Sequence, residues 1–401
     1  MKRLLRTRKL FGFLRAHRSE LFDAAFQDEL ATMYRDSGAG KEPLPPALLA
    51  MATLLQAYHG ISDAEAVEMT VVDLRWQLVL DVLGADEPAF SQGALFDFRE
   101  RLIRHDMDRR LLERTVALAE RTGAFDPKKL PKELRVAIDS MPLEGAGRVE
   151  DTLNLLAHAA RKVISAAAAV LQRKAEDVAR EAGAPMLAES SIKKALDLEW
   201  SDPVKKGGAL MTVVEQLDAL ETWIAEHLPE QAKRPPLSEL LSTLRQLRDQ
   251  DLEPDPGGGG SRIRHGVAPD RRVSVEDGEM RHGRKSKSKR FNGFKRHIAS
   301  DLDTGMILAC VVTPANRPEE EAAPILRDDL ARLPGRNVIG SLHIDRGYVA
   351  SDLVKEVTER RGLVLCKPWV ARNGKLFSKS DFAIDMRRKS IQCPAGEVEY
   401  F

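Results

Sequence analysis

Cysteine is scarce. Cys310, Cys366 and Cys393 are the only three in 401 residues, far apart and odd in number. That argues against a disulfide framework and suits a reducing compartment. Long apolar runs are missing too: none approaches the roughly 20 residues of a membrane span. The apolar piece at 10–14 falls short of the about 7–15 residues in the apolar part of a signal peptide, so a cytoplasmic location is expected. An excess of one charge is also absent. The net charge is +1, so local clusters must select any charged partner. What is present, 43% hydrophobic and 31% charged residues, builds a core and excludes global disorder. The length allows two or three domains.

Two short stretches organise the reading. Residues 134–139, LRVAID, place Leu134, Val136 and Ile138 on one face at period two and end in Asp139, the pattern of a buried strand with a carboxylate at its carboxyl end. Residues 338–345, VIGSLHID, repeat it and end in Asp345. Neighbouring strands lie about 4.8 Å apart. If these two are neighbours, the carboxylates can share one Mg²⁺ or bracket two ions about 3.5–4 Å apart, an arrangement suited to phosphodiester chemistry.

Helical periodicity governs 20–122. Pro45 and Pro46 open a helix that Gly60 ends, and Ser62 with Glu65 reads as a capping box. The next helix is expected to run on into 73–80, and Ser91 to start another. The first 18 residues hold seven Lys or Arg and no acid, a candidate arm for phosphates. After LRVAID, the Ala-rich stretch 151–181 contains no Gly or Pro and is expected to form one long helix. Helical segments follow at 190–200, 209–228 and 238–251. Four glycines in 254–261 predict a flexible joint.

Strands return beyond it. Segments 291–302 and 306–313 flank an Asp-Thr-Gly turn, and 338–345 and 363–367 are further strands. Helices are expected at 317–333, with Ala322, Ala323, Ile325, Leu326 and Leu330 inward, and at 351–361. The order predicts a mixed sheet with helical crossovers. Arg281, Arg284, Lys285, Lys287, Lys289, Arg290, Lys295 and Arg296 fall between 281 and 297 with no acid, interleaved with Phe291 and Phe294. Leading directly into a strand of this sheet, they are expected near the carboxylates as a DNA-binding stripe. The histidines have no metal-ligand spacing with cysteine.

Three blocks carry a resemblance. LPPALLAMATLLQAYHGISDAEAVEMTVVDLRWQLVLDV with FSQGALFDFRERL is similar to the helical N-terminal domain of bacterial insertion-sequence transposases of the DDE class. AIDSMPLEGAGRVEDT resembles their first-aspartate block, and HGRKSKSKRFNGFKRHIASDLDTGMILACVVTPAN with HIDRGY the block around the second. The resemblance implies an α/β fold: an RNase-H-like mixed sheet preceded by a helical domain and interrupted by a helical insertion. By motif position Asp139 and Asp345 match the first two catalytic, metal-binding aspartates. It also implies Mg²⁺ or Mn²⁺, double-stranded DNA of the transposon ends and target as partner, a homo-oligomer on DNA, and cleavage with strand transfer.

The expected organisation is a helical domain at 1–130 that binds DNA ends and a catalytic core at 131–150 plus 261–401. A helical insertion fills 151–253, and a linker 254–260. The family's third acid is a Glu on a helix well past the second aspartate. Glu397 and Glu399 lie in an extended-looking tail, so a truncated copy is expected, with full catalysis by this chain alone in question. An RNase-H-like nuclease without joining activity and a non-catalytic DNA-binding remnant are the alternatives.

Overall fold

In the computed structural model the described residues are 9–34, 43–123, 126–196, 203–258, 260–286, 288–333, 336–367 and 374–401. They build three apolar cores. The first belongs to helices α1 (Lys9–Ala16), α2 (Arg18–Leu21), α3 (Ala24–Ala31), α4 (Pro46–His59), α5 (Asp63–Val72), α6 (Leu74–Leu80), α7 (Gln92–Arg104) and α8 (Met107–Arg121). Met51, Leu55, Trp76, Leu95 and Phe98 are buried at its centre. Local chemistry sets the helix ends. Pro46 sits in the first turn of α4, and Gly60 closes it at φ 65°. Ser62 and Glu65 cap α5 reciprocally: the Ser62 amide donates to Glu65 at 2.8 Å and the Glu65 amide to Ser62 at 3.3 Å.

Two expectations change here. The single helix across 62–80 is two, because Asp73 is extended and its side chain accepts from the Arg75 amide at 2.7 Å, starting α6 afresh. Residues 1–8 of the basic stretch lie outside the described residues. From Lys9 onward that stretch is a packed helix with Phe11 and Leu14 buried, and Arg15 and Arg18 pair with Asp81.

The second core covers one face of a mixed sheet. Strand β1 (Leu134–Glu144) is central. After the insertion come β2 (Leu252–Pro254), β3 (Ser261–Ile263), β4 (Arg281–Arg284), β5 (Arg290–Asp301), β6 (Ile307–Pro314) and β7 (Ile339–Ile344), then β8 (Leu363–Cys366). The sheet runs β4–β5–β1–β7–β8, with β6 beside β5 next to β4. Pairing is antiparallel from β1 to β5 and from β5 to β4 and β6, and parallel from β1 to β7 to β8. This is an α/β, RNase-H-like order, with a helical crossover before β7 and another before β8. In the first crossover Pro324 is tolerated because it falls in the opening turn of its helix, Ala323–Ala331. Ala322, Ala323, Leu326 and Leu330 face the core, but Ile325, expected inward, is 51% exposed. The Asp-Thr-Gly turn joins β5 to β6, with Gly305 at φ 72°. The bundle docks through α8: Arg109 pairs with Asp329 beside β6, and Val116 packs on the sheet's core.

The third core is the insertion between β1 and β4. The expected 151–181 helix is two, Thr152–Leu171 and Ala175–Glu181. Gln172 turns left-handed at φ 54°, which folds the second piece back so that Val178 and Ala179 bury against the first. Helices Ile192–Leu196, Pro203–His227 and Leu237–Asp251 complete it. Its two ends are clamped together. Asp251, its side chain 3% exposed, accepts from Thr152 at 2.8 Å and from Arg271 at 2.7 Å. The expected joint is not an open tether: β2 pairs antiparallel with β3, and Asp255 to Gly258 and Gly260 belong to the turn between them. The C-terminal tail folds as a meander of Ala383–Asp385, Ser390–Gln392 and Val398–Tyr400.

Candidate active site

β1 and β7 lie side by side in parallel register, Val136 opposite Leu342 and Ile138 opposite Ile344. These residues fill the covered face, so the next residue of each strand, Asp139 and Asp345, turns to the other side. Both are exposed. β7 stops at Ile344, and the chain leaves through a one-turn 3₁₀ helix, Arg346–Tyr348, which Asp345 caps by accepting the Arg346 amide. β1 does not stop at Asp139 as expected. It runs on to Glu144 because β5 continues to pair with it. The two aspartates therefore follow directly on the paired residues Ile138 and Ile344, where β1 and β7, neighbouring strands about 4.8 Å apart, part company.

Ser140 turns to the covered side, where its hydroxyl donates to Glu319 Oε1 at 2.5 Å. Glu319 begins the 3₁₀ turn Glu319–Ala322 before the first crossover helix, with Lys295 Nζ 3.9 Å from its carboxylate. It also lies against Gly347, where any Cβ would collide with that carboxylate. Behind the pair sits His297, fully buried, with Nδ1 2.6 Å from the Tyr348 hydroxyl and Nε2 2.9 Å from Thr313 Oγ1. Burial, with a smaller push from Lys295, lowers the imidazole to about 4. Burial raises the Tyr348 phenol. The charge of Glu319 adds to that rise, as do those of Asp139 and Asp345, while the nearby Ser140 hydroxyl opposes it. One phenol thus feels all three acids. Glu319, Ser140, Tyr348 and His297 carry no periodic or spacing signal that marks them in the sequence. Tyr348 is visible three residues past Asp345, but nothing local gives it a role.

The basic stretch is less uniform than its composition suggested. Arg281 is 8% exposed and bonded to Asp270 at 2.9 Å, so it is committed to holding a loop. Lys287 lies outside the described residues. Arg284, Lys285, Lys289 and Arg290 crown the β4–β5 hairpin, exposed and, among the described residues, free of ion pairs. Lys295 is engaged with the Arg317 carbonyl at 2.9 Å, whereas Arg296 is exposed opposite Met141. The crown is not beside the carboxylates. Asp139 pairs with Ile298, and at about 3.4 Å per residue Arg290 lies roughly 27 Å further along β5.

Two family models match. One, described as a transposase DDE domain, covers residues 262–398. The other, described as a transposase domain, covers 8–101. Between them they span more than half of the chain. The chain belongs to the insertion-sequence DDE transposases. Asp345 lies within the first match, while Asp139 lies upstream of it, across the insertion. No curated protein and no solved structure matches this transposase. Among its described residues no helix is long and apolar enough to cross a membrane.

Proposed function

We propose that this transposase binds the ends of its element and performs metal-dependent cleavage and strand transfer at Asp139 and Asp345. The observation that carries this reading is that Asp139 and Asp345, both exposed, each follow directly on the paired residues Ile138 and Ile344 of neighbouring parallel strands. Their oxygens are hard donors of the kind Mg²⁺ and Mn²⁺ take. Among the described residues no three His, Cys, Asp or Glu side chains form a ready ligand set. A partial shell of two carboxylates still fits an ion completed by water and DNA phosphate, as Mg²⁺ commonly is. Held by Asp139 and Asp345, such an ion would supply the activation of a water or a 3′-hydroxyl and the stabilisation of the leaving oxygen.

The chain's own part is to hold the scissile phosphate in line. Asp139 and Asp345 fix its position on the sheet. Arg296, level with Met141 on β5, is placed to meet the neighbouring phosphate. The hairpin crown of Arg284, Lys285, Lys289 and Arg290, about 27 Å along the strand, reaches phosphates roughly 8 base pairs away at 3.4 Å per pair. The N-terminal bundle contributes further contacts to the element's ends, with a second copy of the chain holding the other end.

The test is cleavage of DNA carrying the element's terminal repeats in Mg²⁺ or Mn²⁺. The wild-type chain should cut and join. Asp139→Asn should bind the same DNA without cutting, since a neutral amide is a poor ligand for a hard cation. Cutting without joining would make the protein a nuclease of this fold, and binding without cutting by the wild type would leave a DNA-binding remnant. Undiminished cutting by Asp139→Asn would remove that residue from the site.

A further inference from the structure

Asp139 lies within a continuous strand, whereas Asp345 does not. β7 ends at Ile344 and hands Asp345 to a one-turn 3₁₀ helix. The backbone bonds of that turn are local. The Tyr348 amide donates to the Asp345 carbonyl at 3.1 Å and the Val349 amide to Arg346 at 3.3 Å. They shape the turn without joining it to β1. Tyr348 anchors it on the far side, through His297 of β5.

Glu319 fills the space between the turn and β1. Its Oε1 accepts from the Ser140 hydroxyl at 2.5 Å, one residue past Asp139. Its carboxyl carbon lies 2.8 Å from the place a Cβ would take on Gly347, two residues past Asp345. Gly347 is not left-handed, so its backbone would accept alanine; the side chain it lacks is the space the carboxylate occupies. One carboxyl group thus touches a neighbour of each aspartate. Glu319 is itself held from behind. Pro318, at φ −58° and ψ 148°, sets the entry to the turn Glu319–Ala322. That turn leads straight into the first crossover helix, whose Ala323, Leu326 and Leu330 are buried in the sheet's core. Lys295 Nζ stands 3.9 Å from the carboxylate but donates to the Arg317 carbonyl at 2.9 Å, so the close polar partner of Glu319 here is Ser140.

We infer that Glu319 is a positioning residue: it braces the Asp345 turn against the strand of Asp139 by accepting from Ser140 and filling the notch left open at Gly347. The brace fixes how far apart the two aspartates stand. The inference rests on their proposed role as a metal-holding pair, but the brace itself is testable in the metal-free chain.

Two measurements on the full chain test it. The first is hydrogen exchange at the Tyr348 and Val349 amides without metal. Glu319→Ala, Ser140→Ala and Gly347→Ala should each speed exchange there and leave the N-terminal bundle and the insertion unchanged. Glu319→Gln, whose amide oxygen still accepts from Ser140, should stay as protected as wild type. Gly347→Ala should add nothing in a Glu319→Ala background, where no carboxylate is left to strike. Wild-type protection in Glu319→Ala, or a Gln variant as open as the Ala variant, would overturn the brace. The second measurement is Mn²⁺ affinity by titration calorimetry. Ser140→Ala and Gly347→Ala keep every carboxylate, yet should bind Mn²⁺ about 10-fold more weakly, the usual effect of losing a group that orients a ligand. Asp139→Asn separates the two ideas. If it loses Mn²⁺ while Ser140→Ala and Gly347→Ala bind as wild type, the positioning role fails and the metal pair stands. If Asp139→Asn itself binds as wild type, the metal pair falls and takes the positioning role with it, whatever the exchange shows of the brace.

Discussion

Acidification should loosen the mixed sheet through a single buried ring. His297 is fully buried and titrates near 4 in the folded chain, against 6.5 when unfolded. Above pH 6.5 both states hold the ring neutral, and its titration costs nothing. As pH falls from 6.5 towards 4 the unfolded chain takes up a proton that the folded chain refuses, so stability drains away across that window and stays lost below it. A gap of 2.5 units at 1.36 kcal/mol each corresponds to about 3 kcal/mol. The assay is hydrogen exchange by mass spectrometry on peptides from β1 and β5, corrected for the intrinsic exchange rate and compared with His297→Gln, which has no ring to titrate. Between pH 7 and pH 4 the wild type should lose about 3 kcal/mol of opening free energy beyond the loss in the variant. Parallel loss in the two proteins would refute the reasoning, because carboxylates common to both would then account for all of the pH dependence.

Three further outcomes follow from the packing. Gly293→Ala should cost about 3 kcal/mol or more in thermal unfolding, because Gly293 lies at φ 140° and a Cβ there would strike the backbone at Leu143 and Gly145; a shift under 1 kcal/mol would show that β1 and β5 can separate cheaply. Asp251→Ala should cost about 3 kcal/mol by denaturant titration, since it leaves the largely buried Arg271 guanidinium without its carboxylate and unclamps the ends of the insertion. Stability equal to wild type would mean that the insertion does not depend on this clamp. Replacing Arg284, Lys285, Lys289 and Arg290 by Ala should flatten the salt dependence of duplex binding by up to about 3.6 in log K per log salt, at about 0.9 for each phosphate no longer neutralised. An unchanged slope in a fluorescence titration would take the hairpin crown out of the interface.

Local signals in the chain were sufficient for much of the fold. Period-two alternation marked β1 and β7, and prolines, Gly60 and the Ser62–Glu65 box marked helix ends, because those preferences are satisfied within a few residues. The two aspartates were legible for the same reason, each following a short run of alternating apolar residues, although β1 itself runs on past Asp139 to Glu144. Other features depended on contacts between distant parts of the chain. The breaks at Asp73 and Gln172 occur inside helical patterns and are stabilised by a side-chain cap and by burial of the folded-back piece. The glycine run looked like a tether because nothing local shows that Leu252–Pro254 will find Ser261–Ile263. Charge density in 281–297 was plain, but only tertiary structure commits Arg281 to Asp270 and carries the hairpin crown far from the carboxylates.

By itself, then, the sequence determined which apolar alternations lead into an aspartate and which family the chain resembles, since both are written in short contiguous patterns. The tertiary structure decided that those strands are parallel neighbours in register, and that Glu319, Ser140, Tyr348 and His297 meet behind them. Those contacts join residues up to 206 apart in sequence, as for Val136 and Leu342 (342 − 136), and pairings at such separations are selected by the packing of the whole sheet rather than by any local preference.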